Sequence, residues 1–233
     1  MKLAIFDVDG TLLDNLASED ACFTQALSDV LGLPTLDDDW ATYRHVSDAG
    51  IATEAYQRIF GVAPAADLLD ATIARFVELL TVAHGTDRIS QVPGAARLLA
   101  ALPQYGWAVA IATGAWHRAA AFKLGAASLP WDSVPIATAE DGPARTDIIQ
   151  RARSRAHALH DGAPFERVVS IGDGVWDIQA ARELGLPFVG VGRGGHAARL
   201  YAAGASITLA DFADLAATVS ALEQACAPLS AVP

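Results

Sequence analysis

Short apolar runs alternate with helical patterns from residue 93 to the end of the chain. β-Strands are predicted for the runs at residues 107–113, 134–137, 167–171 and 187–191, with a weaker one at 206–209. Helices are predicted between them, over residues 93–102, 115–124, 147–160 and 175–184 and from Phe212 onward. This alternation is typical of a parallel sheet with right-handed crossovers and helices on both faces. We therefore expect a Rossmann-like, three-layer α/β/α core.

The chain opens with one more apolar run, which begins at Leu3 and predicts a buried strand. Residues 16–88 then carry helical spacing only, with glycine and proline as stop signals. Helices are predicted there over residues 17–31, 36–46, 49–60 and 65–83. Because no strand is predicted in this stretch, we interpret residues 15–89 as a small all-α domain. It would be inserted into a core of residues 1–14 and 90–233.

The first strand is followed at once by two carboxylates, Asp7 and Asp9, and then by Gly10. Ligands of an open parallel sheet bind outside the carboxyl ends of its strands. Because the chain turns there, both acids can border one pocket while Val8 stays in the core. One acid is then placed to attack a substrate and the other to move protons.

Polar groups also stand at the ends of later strands and at helix starts. Thr113 and Gly114 follow a strand and precede a helix, where free backbone N–H groups favour an anion. Asp173 ends another strand, and Asp177, one helical turn further on, can face the same site. Arg145 supplies a cation at the start of a helix between these two segments. Together with the first strand, they predict one site built from several strand ends.

This ordered set of motifs resembles the haloacid dehalogenase superfamily of phosphohydrolases. The resemblance covers essentially the whole core, and the helical insert is similar to that superfamily's small α-helical cap. It implies that Asp7 is the nucleophile, which forms an aspartyl-phosphate, and that Asp9 is the general acid and base. It further implies that Thr113 and Gly114 hold the phosphoryl oxygens. The substrate would be a small-molecule phosphate ester.

The same resemblance implies a Mg²⁺ cofactor, a hard ion that prefers carboxylates and water. Its ligands would be Asp7, the backbone carbonyl of Asp9, and Asp173. Asp177 would bind the ion directly or through water. The metal would also offset the repulsion between these carboxylates and an incoming phosphate.

The cation of the site departs from the family pattern, in which it is usually a lysine. The chain has only Lys2 and Lys123, and Lys123 comes too early, before the third strand of the core. We therefore assign the role, including phosphate binding, to Arg145, which offers a planar fork in place of a point donor.

Some residues also indicate which branch of the superfamily the chain resembles most. The second acid, Asp9, argues for phosphoryl chemistry rather than dehalogenation. Phosphoglycolate and sugar-phosphate phosphatases look closest, and Arg44 and His45 lie where their cap presents a substrate-specificity loop. We expect one of these two residues to touch the substrate. A phosphomutase of the β-phosphoglucomutase kind shares the motifs and the cap type, so it stays open.

A rival interpretation from another functional class is a nucleotide- or phosphate-binding module without hydrolysis. The glycine-rich residues 190–195 follow a strand and precede a helix, and Asp211 lies after the next strand. This spacing superficially matches the dinucleotide-binding fingerprint. It leaves Asp7, Asp9 and Asp173 unexplained.

Composition and net charge limit the kinds of partner that we expect the chain to bind. The chain of 233 residues is 52% hydrophobic, and its net charge of −11 argues against nucleic acid as a partner. Residues 15–88 hold twelve acids and four arginines, which we interpret as a solvated helix face. Two distant cysteines, no signal peptide and no apolar run of about 20 residues predict a soluble cytoplasmic protein without a membrane partner.

Overall fold

The structure, a computed structural model, describes residues 1–14, 18–34, 36, 39–85 and 89–229. The described residues form a six-stranded parallel sheet with helices on both faces, in the strand order β3-β2-β1-β4-β5-β6. The strands are β1 (Lys2–Phe6), β2 (Trp107–Ala112), β3 (Ile136–Ala137), β4 (Val168–Gly172), β5 (Phe188–Val191) and β6 (Thr208–Leu209). The predicted α/β/α fold class is confirmed.

The helices connect the strands and supply the insert. In chain order they are α1 (Glu19–Leu31), α2 (Asp48–Phe60), α3 (Ala66–His84), α4 (Ala95–Ala101), α5 (His117–Ala126), α6 (Arg145–Leu159), α7 (Val175–Glu183), α8 (Gly194–Ala202) and α9 (Leu215–Gln224). Short 3₁₀ turns lie at Trp40–Thr42, Leu102–Tyr105 and Ala139–Asp141. Among the described residues, no helix is both long enough and apolar enough to cross a membrane.

Strand β1 lies at the centre of the sheet, because its residues pair with β2 on one side and β4 on the other. Successive side chains of a strand point to opposite faces. Leu3 and Ile5 accordingly join the apolar cluster on one face, and Ala4 and Phe6 join the cluster on the other. A strand buried on both faces carries a continuous apolar run, as this one does. The acids that follow β1 therefore emerge at the middle of the sheet's carboxyl edge.

The helical insert, by which we mean α1 to α3, packs around an apolar cluster that it shares with residues near the start of α5. Phe23 of α1 and Phe76 of α3 pack edge to face, with ring centroids 5.5 Å apart. Trp116, the residue before α5, lies 5.6 Å from Phe23 by ring centroid and belongs to the same cluster. The start of α5 thus joins the insert to the sheet.

The predicted helix over residues 36–46 is wrong, although Thr35, Asp37 and Asp38 lie outside the described residues. The chain forms only the short turn Trp40–Thr42 there, where the Asp39 side chain accepts a hydrogen bond from the backbone N–H of Ala41. Tyr43 is already extended. The Trp40 ring packs edge to face on Phe23, at 5.9 Å between centroids. Tertiary packing of the aromatic residues therefore overrides the helical spacing.

Candidate active site

The end of β1 places two carboxylates at the carboxyl edge of the sheet. The backbone N–H of Asp7 still donates to the carbonyl of Ile171 in β4, at 2.9 Å, so the strand pairing holds this residue in place. Its side chain is buried. Gly10 turns the chain away with a φ of +74°, in the left-handed region that favours glycine.

Three carboxylates converge at this point. Asp7, Asp173 and Asp177 each offer a ligand atom, and these atoms lie within 4.8 Å of one another. The backbone N–H of Gly174 donates to Oδ2 of Asp177 at 3.0 Å and fixes that side chain at the start of α7. A Cβ on Gly172 would lie 2.5 Å from the same oxygen, so a glycine is needed there for the acid to approach. Three buried carboxylates of this spacing could hold a divalent metal.

Arg145 is the cation that the sequence predicts, and it contacts the acids directly. Its Nη1 donates to Oδ1 of Asp7 at 2.9 Å, and its Nε lies 3.7 Å from Oδ1 of Asp177. The Nε also donates to the backbone carbonyl of Val46, at 3.0 Å. Helix α6 begins at Arg145, two residues earlier than predicted, because the preceding Ala144 is extended. The guanidinium therefore bridges the acids and the helical insert.

One buried cation does not neutralise three buried acids. Burial raises the pKa of Asp7 to about 7, against the lowering effect of Arg145, and the charges of Asp177 and Asp9 add to the rise. Burial, followed by the charge of Asp7, also raises the pKa of Asp173. Burial raises the pKa of Asp177, which Arg145 opposes. A bound divalent cation would supply the missing charge and favour the ionised acids, so this donor set fits a metal site.

Thr113 and Gly114 lie where the loop after β2 meets the site. Thr113 is buried, and its Oγ accepts a hydrogen bond from the backbone N–H of Ala115 at 3.1 Å. Gly114 approaches Arg145 so closely that a Cβ would stand 2.8 Å from Cζ of the guanidinium. Gly114 lines the cavity described next, whereas Thr113 is not among the residues that line it. The glycine therefore makes room for the cation, and the threonine braces the loop.

A cavity of about 720 Å³ opens above these residues, between the sheet edge and the helical insert. The core lines one side with its acids, with Arg145 and with residues of the first turn of α7 and of α8. The insert lines the other side with aromatic and acidic residues. Those residues of the insert side are Glu19, Asp20, Phe23, Asp39, Trp40, Asp48 and Phe76. The carboxylates here belong to the acid-rich stretch that we interpreted as a solvated face.

The predicted specificity segment reaches the cavity one residue later than expected. Val46, Ser47 and Asp48 line it, whereas Arg44 and His45 are not among the lining residues. Arg44 is exposed, and its backbone N–H donates to Glu54. That Arg44 or His45 touches the substrate stays a prediction, with less geometric support than the core residues have.

The insert is docked on the core through Ser47 and Asp48. The hydroxyl of Ser47 donates to the carbonyl of Pro143 at 2.8 Å. The backbone N–H of Asp48 donates to the carbonyl of Gly114 at 2.8 Å, and its Oδ2 accepts from the backbone N–H of Trp116 at 2.9 Å. The start of α2 therefore closes the cavity directly over the loop after β2.

Lys123, which we set aside as the family's cation, is part of the site in another way. Its side chain is fully buried, and its Nζ donates to Oδ2 of Asp9 at 2.7 Å and to Oε1 of Glu19. Although burial alone would lower the pKa of Lys123, the charges of Asp9, Glu19 and Asp48 raise it above its ordinary value. The ammonium is therefore charged, and it joins a core acid to an acid of the insert.

Sequence reasoning missed Lys123, Glu19, Asp48 and His196 as site residues. The imidazole Nε2 of His196 lies 2.8 Å from the backbone carbonyl of Asp173, and the ring lines the cavity. One signal was available for Lys123, because it lies on the buried face of α5 with Ala119 and Leu124. A lysine on an apolar helix face is rare unless it is paired. The pairing itself joins segments that are far apart in the chain.

The fold agrees with what comparison with protein families finds. A family model described as haloacid dehalogenase-like hydrolase matches residues 1–185. The chain therefore belongs to the haloacid dehalogenase-like hydrolases, and the resemblance stated from its motifs is confirmed. Among curated proteins, no significant match to the chain is found.

Solved structures of similar fold include a hydrolase from Pseudomonas syringae, with 25% identity and a TM-score of 0.70, over 94% of this chain and 98% of that one. CbbY from Rhodobacter sphaeroides, solved in complex with phosphate, has 25% identity and a TM-score of 0.64, over 92% and 96%. A predicted phosphoglycolate phosphatase from Haemophilus somnus has 21% identity and a TM-score of 0.60, over 94% and 98%, and shows the fold alone.

Proposed function

We propose that this hydrolase is a Mg²⁺-dependent phosphomonoesterase, which acts on a small phosphorylated metabolite through an aspartyl-phosphate. The observation that carries the proposal is the convergence of Asp7, Asp173 and Asp177 within 4.8 Å and beside Arg145, where Asp7 and Asp173 line the cavity between the sheet edge and the insert. The similarity to CbbY, solved with phosphate, supports the proposed class of ligand.

In the proposed reaction, a carboxylate oxygen of Asp7 attacks the phosphorus, and the bond from phosphorus to the ester oxygen breaks. The leaving oxygen takes a proton from Asp9. Water then attacks the phosphorus of the aspartyl-phosphate and gives its proton to Asp9, which releases inorganic phosphate and restores Asp7. Both acids line the cavity, as this sequence of steps requires.

The positive charge for the phosphoryl oxygens comes from Arg145 and from the loop after β2. Arg145 is held by Asp7, Asp177 and the carbonyl of Val46, so its guanidinium is fixed before a substrate arrives. A preorganised donor loses little free energy to reorganisation during the reaction. The backbone of Gly114 borders the same space, and Thr113 keeps the loop in shape.

Asp7, Asp173 and Asp177 would hold the Mg²⁺, together with the backbone carbonyl of Asp9. When bound, the ion supplies positive charge that stabilises the phosphoryl group and offsets the repulsion between the acids and the phosphate. The raised pKa values of Asp7 and Asp173 support this assignment, since burial, with the charges of neighbouring acids adding to it, disfavours their ionised forms and a bound cation would offset this.

The helical insert would act as a cap that excludes bulk water and contacts the leaving group. We propose that this cap spans residues 15–89 and the catalytic core residues 1–14 and 90–233. Contacts from Ser47 and Asp48 to the core support a cap that closes over the site. The cavity of about 720 Å³ suits a small metabolite.

The rival nucleotide-binding interpretation has weaker support. Asp211, the acid that a dinucleotide site would use for a ribose, accepts a hydrogen bond from Nη2 of Arg193 at 2.5 Å. The glycine-rich segment instead leads into α8, which contributes His196 to the same cavity. A single site therefore accounts for both sets of residues.

The test is phosphate release from a panel of sugar phosphates, phosphoglycolate, nucleotides and p-nitrophenyl phosphate, with Mg²⁺ and with EDTA. We expect release that requires the metal, and a loss of more than about 10³-fold in Asp7→Asn because the nucleophile is removed. Asp14→Asn is the matched control, since this exposed acid lies on the same segment.

Metal binding has its own readout. Mg²⁺ at about 100 times its Kd should stabilise the folded protein by roughly 2.7 kcal/mol, and Asp173→Asn should abolish most of this gain in thermal unfolding. Release from no substrate by folded, Mg²⁺-binding protein would contradict the phosphatase. Conversion of an aldose 1-phosphate to its isomer without release, followed by phosphorus NMR, would identify a phosphomutase instead.

A further inference from the structure

The general acid and base of the proposed reaction is held by a single side chain. Oδ2 of Asp9 accepts a hydrogen bond from Lys123 at 2.7 Å, whereas Oδ1 has no partner among the described residues. No other hydrogen bond to this carboxylate is present in the described part of the chain. The orientation of Asp9 therefore depends on Lys123.

The same ammonium reaches the helical insert. It donates to Oε1 of Glu19, the first residue of α1, whose side chain also lines the cavity. Asp9 precedes the insert in the chain, Glu19 begins it, and Lys123 lies on the core helix after β2. Because Lys123 is fully buried, its ammonium has few other groups with which to pair. We therefore expect this bridge to be more rigid than a surface ion pair.

We propose that Lys123 is a positioning residue, which orients the Asp9 carboxylate toward the leaving oxygen and, through Glu19, ties that orientation to the docked state of the insert. This inference rests on the proposed phosphatase, in which Asp9 protonates the leaving group. It gives a task to the lysine that the family motif does not use.

Arg145 cannot perform this task, because its contacts are with Asp7, Asp177 and Val46, on the nucleophile's side of the site. The two buried cations thus contact different acids of the site. Arg145 contacts the nucleophile, and Lys123 contacts the acid and base. Lys123 is surrounded by three acids, Asp9, Glu19 and Asp48, whose charges all stabilise its one ammonium.

The dependence on the leaving group separates positioning from a merely structural role. An alkyl phosphate needs a proton on its leaving oxygen, whereas p-nitrophenyl phosphate releases a weakly basic phenolate that needs none. The value of kcat/KM reports the steps up to the first irreversible one, and it is therefore the quantity to compare. We expect Lys123→Met to lower kcat/KM about 100-fold for an alkyl phosphate and less than about 10-fold for p-nitrophenyl phosphate.

Arg118→Met is the matched control, because it removes an exposed cation from the same helix. It should change neither substrate's kcat/KM. The double variant Asp9→Asn, Lys123→Met should be no slower than Asp9→Asn alone, because residues that act as a unit are not additive. An equal loss on both substrates, or no loss, would overturn the role of Lys123 while leaving the phosphatase standing.

A second variant covers the case in which Lys123→Met does not fold. Glu19→Gln replaces the carboxyl group at the insert end of the bridge with an amide of nearly the same size and keeps Lys123. Its fold should persist because the amide oxygen can still accept a hydrogen bond from Lys123, but a neutral acceptor holds the ammonium less tightly than an ionised carboxylate does. We expect the same selective loss, by about 5- to 10-fold. A loss that does not depend on the substrate would contradict the inference, and a wild type that releases no phosphate would contradict the proposed function itself.

Discussion

Both sides of the cavity carry acidic side chains, but the two sides arrange these side chains differently. On the core side, Asp7, Asp173 and Asp177 come together around Arg145, close enough that they could hold one metal ion. On the insert side, Glu19 contacts the buried Lys123, and Asp48 accepts from the backbone N–H of Trp116. In the proposed reaction the core side would hold the phosphate group, whereas the insert side would present its acids to the remainder of the substrate. We therefore expect affinity for phosphate and choice of leaving group to be separate properties of this site.

The largest effect is expected when the core side alone is disturbed. In Gly114→Ala, the new Cβ would stand 2.8 Å from Cζ of Arg145 and push the guanidinium away from Asp7. We expect kcat/KM to fall about 100-fold for every substrate, because a displacement of about 1 Å in a positioned group costs that much. Steady-state kinetics on two substrates with different leaving groups would check this.

The matched control is Gly125→Ala in α5, where a Cβ would meet nothing within 4 Å. That change should leave kcat/KM unaltered and stabilise the fold by roughly 0.5 kcal/mol, since alanine favours a helix. Similar activities for the two alanine variants would show that Arg145 does not need its present position.

The insert side should select against a second negative charge. In the described lining of that side there is no lysine or arginine, while Glu19, Asp20, Asp39 and Asp48 are present. At about pH 8.5, above the raised pKa values of Asp48 and Glu19, we expect kcat/KM for phosphoglycolate to be about tenfold lower than for a phosphate ester of similar size with an uncharged alkyl group, which corresponds to about 1.4 kcal/mol. Asp48→Asn should narrow the difference. A preference for phosphoglycolate would place the selectivity elsewhere, for instance at Arg199.

The two sides should also differ in how pH affects stability. Burial raises the pKa of Asp48 to about 7, and burial with the charge of Asp9 raises that of Glu19 to about 8. Between the ordinary values near 4 and these raised values, the folded state binds more protons than the unfolded state. Stability is then greatest at low pH and is lost as pH rises toward 8. Saturating Mg²⁺ should reduce the part of this loss of stability that comes from the acids of the core side. The part that comes from the acids of the insert should remain.

Urea unfolding from pH 5 to 8.5, with Mg²⁺ present, checks this expectation. Glu19→Gln should flatten the decline, whereas Glu78→Gln, at an exposed acid of the same insert, should not. A stability that rises over this range in the wild type would contradict the assigned direction of the pKa shifts.

The smallest effect is expected where the insert touches the core. Ser47→Ala removes the bond to the carbonyl of Pro143 and the cap on the backbone N–H of Gly50. Loss of such a helix cap costs about 1 kcal/mol. We expect KM to rise a few-fold with little change in kcat, measured beside Ser154→Ala, an exposed serine within α6. An equal effect of both variants on KM would mean that docking at Ser47 does not govern substrate binding.

The chain itself predicts the core side well. Each of its acids follows a strand or opens a helix, and parallel strands bring their carboxyl ends to one edge of the sheet. Asp7, Asp173 and Asp177 are therefore readable from local pattern combined with one topological rule. Arg145 is readable as the cation by its place in the order of motifs, although its bond to the carbonyl of Val46 is not.

The site residues of the insert side cannot be predicted from the sequence in this way. Helical spacing predicts a helix over residues 36–46, but the chain makes only the turn Trp40–Thr42, because aromatic packing decides its course. The acids that line the cavity carry the same pattern as acids on a solvated face. Their role depends on how α1 and α2 lie against the core, which spacing along the chain does not encode.

The α/β/α fold class, the central strand and the acids at its end can be predicted from the chain alone, because they follow from periodicity and from short motifs within single elements. The contact by which Lys123 joins Asp9 to Glu19, and the closing of the start of α2 over Gly114, are visible only in the folded protein. Lys123 lies 114 residues from Asp9 and 104 from Glu19 along the chain, and a buried ion pair forms only where packing brings its partners together and removes water from them.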